Sequence, residues 1–156
     1  MNLSYQGGTL ILYDISQDQS VPEAFQWIKG RWRSEGYHYP TLREWLKAEQ
    51  IKDSVPRWQQ LDLNISDDRE PHDYQLDALD AWQAAACRGS IVLPTGAGKT
   101  FVAIHAIAQV QRSTVVVAPT IDLLHQWYAR LVNAFDTEIG VYYGGEKTIL
   151  PITVTT

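Results

Sequence analysis

The stretch Pro94-Thr95-Gly96-Ala97-Gly98-Lys99-Thr100 decides how the rest of the sequence is interpreted. It follows an apolar, strand-like run over Ser90–Leu93 and opens a helical pattern over Lys99–Val110, which is the context of a phosphate-binding loop. Glycines at Gly96 and Gly98 let backbone N–H groups wrap around phosphates without side-chain clashes. The sequence therefore predicts a nucleotide-binding domain of the α/β class.

Two residues of this loop are candidates for chemistry. The Lys99 ammonium is expected to reach the β- and γ-phosphates of a nucleoside triphosphate, and the Thr100 hydroxyl is expected to ligate Mg²⁺. Leu93 stands where the full form of the motif has glycine, and the alternative is a strand-to-helix turn that uses glycine only for its geometry. The predicted phosphate-binding residues are Thr95, Gly96, Ala97, Gly98, Lys99 and Thr100.

Strand and helix patterns alternate on both sides of the loop. Strands and helices of these lengths, taken in alternation, form parallel sheets with helical crossovers. The predicted elements are a helix over Asp73–Ala86, a strand over Thr114–Ala118, a helix over Ile121–Phe135, a strand over Ile139–Tyr143 and a last strand that begins at Ile152. The second half of the chain is therefore predicted to contain a parallel sheet.

Residues 1–66 have a different character and predict a small α+β domain. Thr9–Tyr13 is an apolar run that the preceding pair of glycines should turn back to pair with residues near Leu3. A helix is predicted from Thr41, because Thr41 and Glu44 are spaced as a capping box.

The boundary between the two domains is predicted to lie in a polar connector, Ser54–Pro71. It carries little periodicity, and its acidic residues are Asp62, Asp67, Asp68 and Glu70. We therefore predict one domain over residues 1–66 and a second over residues 67–156.

Aromatic and basic residues alternate around Gly30 in the first domain, in a bent strand or a hairpin. A single strand would place Trp27, Lys29, Arg31 and Arg33 on one face, unless Gly30 introduces a bulge. That mixture is typical of surfaces that stack on bases and contact the phosphates of distorted or single-stranded DNA. The alternative is that the tryptophans are core and the basic residues are solvated. The candidate DNA-binding residues here are Trp27, Lys29, Arg31, Trp32 and Arg33.

Composition excludes several functional classes. The 156 residues carry a formal net charge of −5, so no chain-wide basic field attracts nucleic acid. Cys87 is the single cysteine, which excludes an intramolecular disulfide and a zinc site built from cysteines. There is no signal-peptide pattern and no run as long as a membrane span, so we expect a cytoplasmic protein that does not contact membranes.

The loop variant and three further stretches resemble a known family. Tyr74-Gln75 opens the helix before the loop, Pro119-Thr120 follows one predicted strand, and Gly144-Gly145 follows another. In this order and spacing, residues 69–156 resemble the XPB branch of superfamily-two DNA repair helicases. Residues 1–66 are similar to the short N-terminal damage-recognition domain of prokaryotic XPB proteins.

The resemblance implies a RecA-like motor domain that binds ATP and moves along DNA in nucleotide excision repair. It implies that Tyr74 and Gln75 contact adenine, although His72 stands where the family often has arginine. A motor must be indifferent to base sequence, so its DNA contacts should go to the backbone. The residues expected to make them are Pro119, Thr120, Gly144, Gly145 and Thr155.

One part that the family requires is absent from the sequence. A helicase ATPase needs one carboxylate on Mg²⁺ and a second acid that orients water, yet no Asp-Glu pair follows Thr100. The resemblance implies that this motif and the second motor domain lie beyond Thr156. We therefore expect an N-terminal fragment with a truncated RecA-like domain, an unpaired sheet edge and no ATPase activity alone. The expected partners are DNA, the remainder of the helicase chain and a repair nuclease.

Two other functional classes are considered. A small P-loop kinase needs a lid that carries arginines well after the loop. Arg112 and Arg130 are the only arginines after Thr100, which argues against a kinase. A non-catalytic module would use the α/β half as a scaffold and residues 1–66 to bind DNA or a repair partner. DNA affinity that does not depend on nucleotide would favour this second class.

Overall fold

The computed structural model describes residues 1–66 and 69–156. Asp67 and Asp68, which the sequence analysis assigns to the connector, lie outside the described residues. None of the helices within these ranges is both long and apolar enough to cross a membrane.

The chain forms two compact units, Met1–Arg57 and Trp58–Thr156. The division comes earlier than the predicted boundary at residue 66, because the second half of the connector belongs to the second unit. The Leu61 N–H donates a 2.9 Å hydrogen bond to the carbonyl of Gln111, and Leu63 is buried in that unit's core.

A five-stranded sheet organises the first unit. Its strands are β1 (Asn2–Gln6), β2 (Thr9–Tyr13), β3 (Gln26–Ile28), β4 (Arg31–Glu35) and β5 (Lys52–Asp53). They lie in the order β3-β4-β2-β1-β5, and all neighbours are antiparallel except β1 and β5. The predicted pairing of β1 with β2 is confirmed, since Leu3 lies opposite Leu12. The turn between them uses Gly7 and Gly8, which have φ values of 57° and 82°.

The helix of the first unit, α1 (Tyr39–Ala48), follows a short 3₁₀ helix over Gly36–His38. The predicted capping box is wrong, because the helix begins before Thr41, whose hydroxyl donates to the carbonyl of His38 at 2.8 Å. Pro40 explains the earlier start, since the first turn of a helix needs no N–H at that position.

The core of the first unit lies between one face of the sheet and α1. Leu3, Leu10 and Leu12 point from the sheet towards Leu42 and Leu46 of the helix, and all are buried. Burial of each such side chain contributes roughly 1.5–3 kcal/mol to folding. This packing fixes which face of the sheet remains polar.

The second unit has helices and a mixed sheet that follow the predicted alternation from α3 onwards. Its elements are α2 (Asp73–Ala84), α3 (Lys99–Val110), β6 (Thr114–Val117), α4 (Ile121–Phe135), β7 (Gly140–Tyr143), β8 (Glu146–Thr148) and β9 (Ile152–Thr155). The strand order is β6-β9-β7-β8, with β9 parallel to both β6 and β7 and β8 antiparallel to β7. The predicted fold class, α/β with a parallel sheet, is confirmed.

The start and the buried face of helix α4 both follow from its sequence. The Thr120 hydroxyl accepts a hydrogen bond from the Leu123 N–H and caps the start of the helix. Leu124 and Leu131, seven residues apart, are fully buried on one face against Ile152 and Val154 of β9. The helix therefore covers one face of the parallel sheet.

The predicted strand over Ser90–Leu93 is wrong. The structure contains no strand there, and the Val92 side chain is 88% exposed. A strand is stable only beside a partner, and among the described residues none pairs with this run.

Candidate functional site

The predicted phosphate loop forms a turn that leads directly into α3. Gly96 and Gly98 have φ values of 83° and 78°, which glycine adopts without strain. A Cβ at Gly98 would lie 2.5 Å from the Gln75 amide nitrogen, whereas the space around Gly96 is open. Within the described part of the chain no side chain caps the start of α3, so its first N–H groups can bind an anion.

The Lys99 side chain folds back onto the start of the loop. Its Nζ donates hydrogen bonds to the carbonyl oxygens of Leu93 and Pro94, both at 2.9 Å. An ammonium has three donors, so a phosphate can be bound by the third or by exchange with these carbonyls. Lys99 can therefore stabilise the loop when no ligand is bound and can also bind a phosphate that the loop holds.

Thr100 is the one predicted metal ligand. Across residues 1–66 and 69–156, no group of three or more His, Cys, Asp and Glu side chains is placed to hold a metal ion. Mg²⁺ usually keeps several waters and takes further oxygens from nucleotide phosphates. A single hydroxyl therefore fits an ion that arrives with a nucleotide better than a resident metal.

Two side chains of α2 bind the middle of the loop. The Tyr74 hydroxyl and the Gln75 Nε2 both donate to the carbonyl oxygen of Ala97, at 3.2 and 3.0 Å. Gln75 is only 4% exposed, and its Oε1 accepts from the His72 N–H at 3.0 Å. The His72 ring stacks on Tyr74 with centroids 5.5 Å apart. The structure thus brings Tyr74 and Gln75 to the loop. If the Gln75 amide both donated to adenine and accepted from it, its Oε1 would have to release the His72 N–H.

A cavity of about 830 Å³ lies next to the loop, within the second unit. It starts at Gly98 and Thr100 and continues between α3 and α4. Its volume is within the usual range for small-molecule sites. Its wall combines apolar residues with polar ones, and the Arg69 guanidinium lies 5.2 Å from the centroid of the Phe101 ring. The polar lining residues are Ser66, Arg69, His105, Arg130 and Asn133.

The residues predicted to contact DNA in the second unit meet at one edge of the sheet. They follow the carboxyl ends of β6 and β7 or lie at the end of β9, which separates those two strands. Thr120 accepts from a backbone N–H, so its own O–H remains able to donate. The Thr155 hydroxyl donates to the carbonyl of Tyr142 at 2.6 Å, which leaves it as an acceptor. The set is Pro119, Thr120, Gly144, Gly145 and Thr155.

Of the two predicted arrangements around Gly30, the structure shows the hairpin: β3 and β4 pair, with Lys29 and Gly30 in the turn, so the mixed face that a single strand would present does not form in this hairpin. Residues that lie opposite each other in a hairpin share a face. Trp27 therefore lies with Trp32, in an edge-to-face contact at 5.4 Å on the side of the core. The Trp32 indole also donates to the carbonyl of Ser16.

The basic residues of the hairpin lie on the other face. The Arg31 guanidinium is 4.9 Å from the centroid of the Tyr13 ring, and Arg33 donates to the Thr9 hydroxyl at 3.1 Å. Lys29 is exposed in the turn. The structure therefore brings Arg31 and Arg33 together on one face and separates them from the two tryptophans, with Lys29 in the adjoining turn.

Two side-chain pairs near the carboxyl edge of the second sheet were not singled out by sequence reasoning. The Lys147 Nζ lies 4.3 Å from the centroid of the Tyr142 ring, and the Tyr143 hydroxyl lies 3.3 Å from the His125 Nε2. Alternation across the two glycines of the β7–β8 turn is the signal that would have found the first pair, because it places Tyr142 opposite Lys147.

Comparison with known proteins identifies relatives of the second unit. Residues 68–156 match the family described as Type III restriction enzyme, res subunit. The DNA 3'-5' translocase XPB2 of Sulfurisphaera tokodaii is 46% identical over 92 residues, which cover 59% of this chain and 21% of the relative. The putative DNA 3'-5' helicase Rad25 of Halobacterium salinarum is 32% identical over 129 residues, covering 72% and 21% of the two chains.

A bacterial relative and one solved structure are also similar. The DNA 3'-5' helicase XPB of Mycobacterium tuberculosis is 38% identical over 87 residues, or 54% of this chain and 16% of that protein. The crystal structure of the UvsW helicase from Bacteriophage T4 has a TM-score of 0.48 and 18% identity, covering 83% of this chain and 58% of that one.

The chain spans about one fifth of the length of the first two relatives. The family match covers more than half of the chain and includes the whole phosphate loop with α3. The chain therefore belongs to the Type III restriction enzyme res-subunit family and, within it, to the XPB branch of superfamily-two helicases.

Proposed function

We propose that this chain carries the phosphate-binding site and part of the DNA-binding surface of an ATP-dependent DNA helicase or translocase of nucleotide excision repair. The observation that carries the proposal is the loop over Pro94–Thr100, with two glycines at positive φ and a lysine at the start of α3. That combination suits a nucleoside triphosphate. The names of the relatives support DNA as the polymer on which the enzyme acts.

The proposed nucleotide site holds ATP by its phosphates. Lys99 would neutralise the β- and γ-phosphates, and Thr100 would ligate the Mg²⁺ that accompanies them. Tyr74 and Gln75 support the loop from α2 and are the proposed contacts on the adenine side.

The proposed DNA surface of the second unit is the carboxyl edge of its sheet. Thr120, Thr155 and the Gly144-Gly145 turn offer hydroxyl and backbone groups there, which suit contacts with the sugar-phosphate backbone. Such contacts carry no base information, as a motor that moves along DNA requires.

We propose that the chain does not hydrolyse ATP by itself. The carboxylate pair that would hold Mg²⁺ and orient water does not follow the loop in the sequence. In the proposed enzyme the remainder of the helicase chain supplies this pair and an arginine from a second motor domain, and ATP is hydrolysed between the two domains.

Nucleotide binding and turnover test the proposal together. We expect the purified chain to bind Mg²⁺-ATP weakly, with binding lost in Lys99→Ala and kept in Lys52→Ala, which changes an exposed lysine of β5 in the first unit. We expect no release of phosphate. Wild-type binding that Lys99→Ala does not alter would contradict the nucleotide site, and turnover that Lys99→Ala abolishes would contradict the proposed inactivity.

A second candidate function is a non-catalytic DNA- or partner-binding module, favoured by the basic face of the first unit. Arg31 and Arg33 lie together on the side of the sheet away from α1, and Lys29 is exposed in the adjoining turn. If this face binds lesion-bearing duplex DNA, changing both arginines to alanine should abolish salt-sensitive binding regardless of nucleotide. Unchanged binding in that variant would exclude this function for the face.

A further inference from the structure

The carboxyl edge of the second sheet is uncharged at every position that the sequence analysis assigns to DNA. Its candidate contacts are threonine hydroxyls, a proline and two glycines. Affinity for a nucleic-acid backbone comes mainly from cations that displace counterions from phosphates. A surface that holds DNA at this edge therefore needs a basic side chain among these neutral groups.

Lys147 is placed to be that side chain. It lies in β8 directly opposite Tyr142 of β7, and its Nζ is 4.3 Å from the centroid of the Tyr142 ring. Tyr142 in turn lies opposite Thr155 of β9, whose hydroxyl donates to the Tyr142 carbonyl at 2.6 Å. The ammonium is therefore level with Thr155 and two residues from the Gly144-Gly145 turn.

The Tyr142 ring restricts where the Lys147 ammonium can go. A cation over an aromatic face is attracted by the ring quadrupole, even where both side chains are partly solvated. Lys147 is itself exposed and Tyr142 is 40% exposed, so the ammonium over the ring remains open to solvent and to an anion. An ordered cation loses less side-chain freedom on binding phosphate than a free lysine does.

The opposite face of the same hairpin is attached to α4. Tyr143 and Glu146 share that face, and the Tyr143 hydroxyl lies 3.3 Å from Nε2 of His125 on α4, with the rings edge to face. Helix α4 begins immediately after Thr120. The contact thus fixes the hairpin relative to the cap of α4, so Lys147 keeps its place beside the other candidate contacts.

We propose that Lys147, positioned by Tyr142, binds a phosphate of single-stranded DNA that crosses the carboxyl edge of the sheet. This proposal rests on the proposed function of the chain as part of a DNA helicase or translocase. Lys147 supplies the charge at this edge, while Thr120, Thr155 and the glycine turn supply neutral hydrogen-bonding groups. Tyr142 acts through Lys147, as a positioning residue.

The test is the salt dependence of DNA binding by the full chain. The affinity for a fluorescent oligothymidine would be measured by anisotropy over a series of potassium chloride concentrations. The variants are Lys147→Gln, Lys147→Arg and Tyr142→Leu. Arg112→Gln is the matched control, because Arg112 precedes β6 and so lies towards the amino edge of the sheet.

In Lys147→Gln we expect the plot of log affinity against log salt to become shallower by about 0.7, the value for one phosphate contact on a single strand. Lys147→Arg should retain the wild-type slope, because it keeps the charge. Arg112→Gln should retain it as well. Tyr142→Leu should weaken binding at low salt by roughly 2–5-fold with a nearly unchanged slope, because the cation remains but is no longer held.

Three results would overturn the proposal. If Lys147→Gln retains the wild-type slope while the wild-type chain binds, Lys147 makes no phosphate contact and the proposed function stands without it. If Arg112→Gln loses as much slope as Lys147→Gln, the effect is one of net charge and not of position. If the folded wild-type chain binds no single-stranded DNA at all, this inference and the proposed DNA surface both fail.

Discussion

The side-chain amide of Gln75 donates a 3.0 Å hydrogen bond to the carbonyl oxygen of Ala97, so a buried residue of α2 holds the middle of the phosphate loop. The same amide accepts from the N–H of His72, at the start of its own helix. Gln75 therefore couples the position of α2 to the shape of the loop, whether or not it also contacts a base.

Replacement of Gln75 by leucine tests this coupling. The substitution keeps most of the volume but leaves the Ala97 carbonyl and the His72 N–H without that partner, so we expect a loss of about 1–3 kcal/mol in the free energy of unfolding. ATP affinity should fall as well, because the loop loses its support. Gln83→Leu, an exposed site on the same helix, is the control for both urea unfolding and nucleotide titration. Equal effects of the two substitutions would show that the contact has no special role.

The two glycines of the loop should differ in their tolerance of alanine. Both substitutions strain a backbone at positive φ, at a cost of about 1–2 kcal/mol each. Gly98→Ala adds a clash, because its Cβ would meet the Gln75 amide nitrogen at 2.5 Å, whereas nothing lies within 4 Å of the same atom at Gly96. We therefore expect Gly98→Ala to unfold at the lower temperature and to lose more ATP affinity. A Gly96→Ala variant that is equally or more damaged would contradict this account of the loop.

Tyr39 should give the first unit a dependence on alkaline pH. Its hydroxyl donates a 2.6 Å hydrogen bond to Asp53, and that bond, together with desolvation and the negative charge of Asp53, raises the pKa of Tyr39 above its usual value near 10. Because the folded state holds this proton more tightly, the stabilisation is complete below pH 10 and is lost as the pH rises through the raised pKa.

Tyr39→Phe removes that contribution. We expect the variant to be less stable at neutral pH by about 0.5 kcal/mol, a small value because the bond is solvated, and the difference from wild type should shrink at strongly alkaline pH. Urea unfolding followed by tryptophan fluorescence at several pH values measures it, with Tyr5→Phe on β1 as the control. A stability difference that stays constant across the alkaline range would mean that the hydroxyl is not the source.

Local sequence signals predicted those elements whose causes are local. The Gly7-Gly8 turn predicted the pairing of β1 with β2, and the sequence pattern over Ile121–Phe135 predicted the bounds of α4. The phosphate loop was predicted in the same way, because its glycines and the helix after it lie within one short stretch. The roles of Lys99 and Thr100 towards a nucleotide stay predictions.

Features that depend on distant partners were predicted less well. Ser90–Leu93 has the composition of a buried strand, but composition does not say whether a neighbour is present to pair with it. The faces of Trp27 and Arg31 depended on whether the chain turned at Gly30, since a hairpin turn reverses the alternation that a single strand would show. The contact of Gln75 with Ala97 joins residues 22 positions apart and has no sequence signal beyond the residue types.

Among the described residues, the edge of β6 away from β9 is paired only next to its start, where the Ser113 N–H donates to the carbonyl of Gln59, and the rest of this edge should make the chain prone to self-association. Thr114 and Ala118 direct their N–H groups towards β9, which leaves those of Val115 and Val117 on the other side of the strand. The two valines are 65% and 68% exposed, and the strand carries no charge. Exposed, uncharged strand edges pair with other chains. By contrast, β8 at the opposite edge of the sheet carries Glu146 and Lys147.

Val117→Lys should suppress this association with little effect on stability, because the side chain is exposed and a charge at an edge opposes strand pairing. Light scattering over a concentration series would measure the association, and thermal unfolding at low concentration would confirm the fold. Thr148→Lys, on the edge that is already charged, is the matched control and should leave association at the wild-type level. Suppression by both variants would assign the effect to net charge, and suppression by neither would show that the β6 edge does not pair.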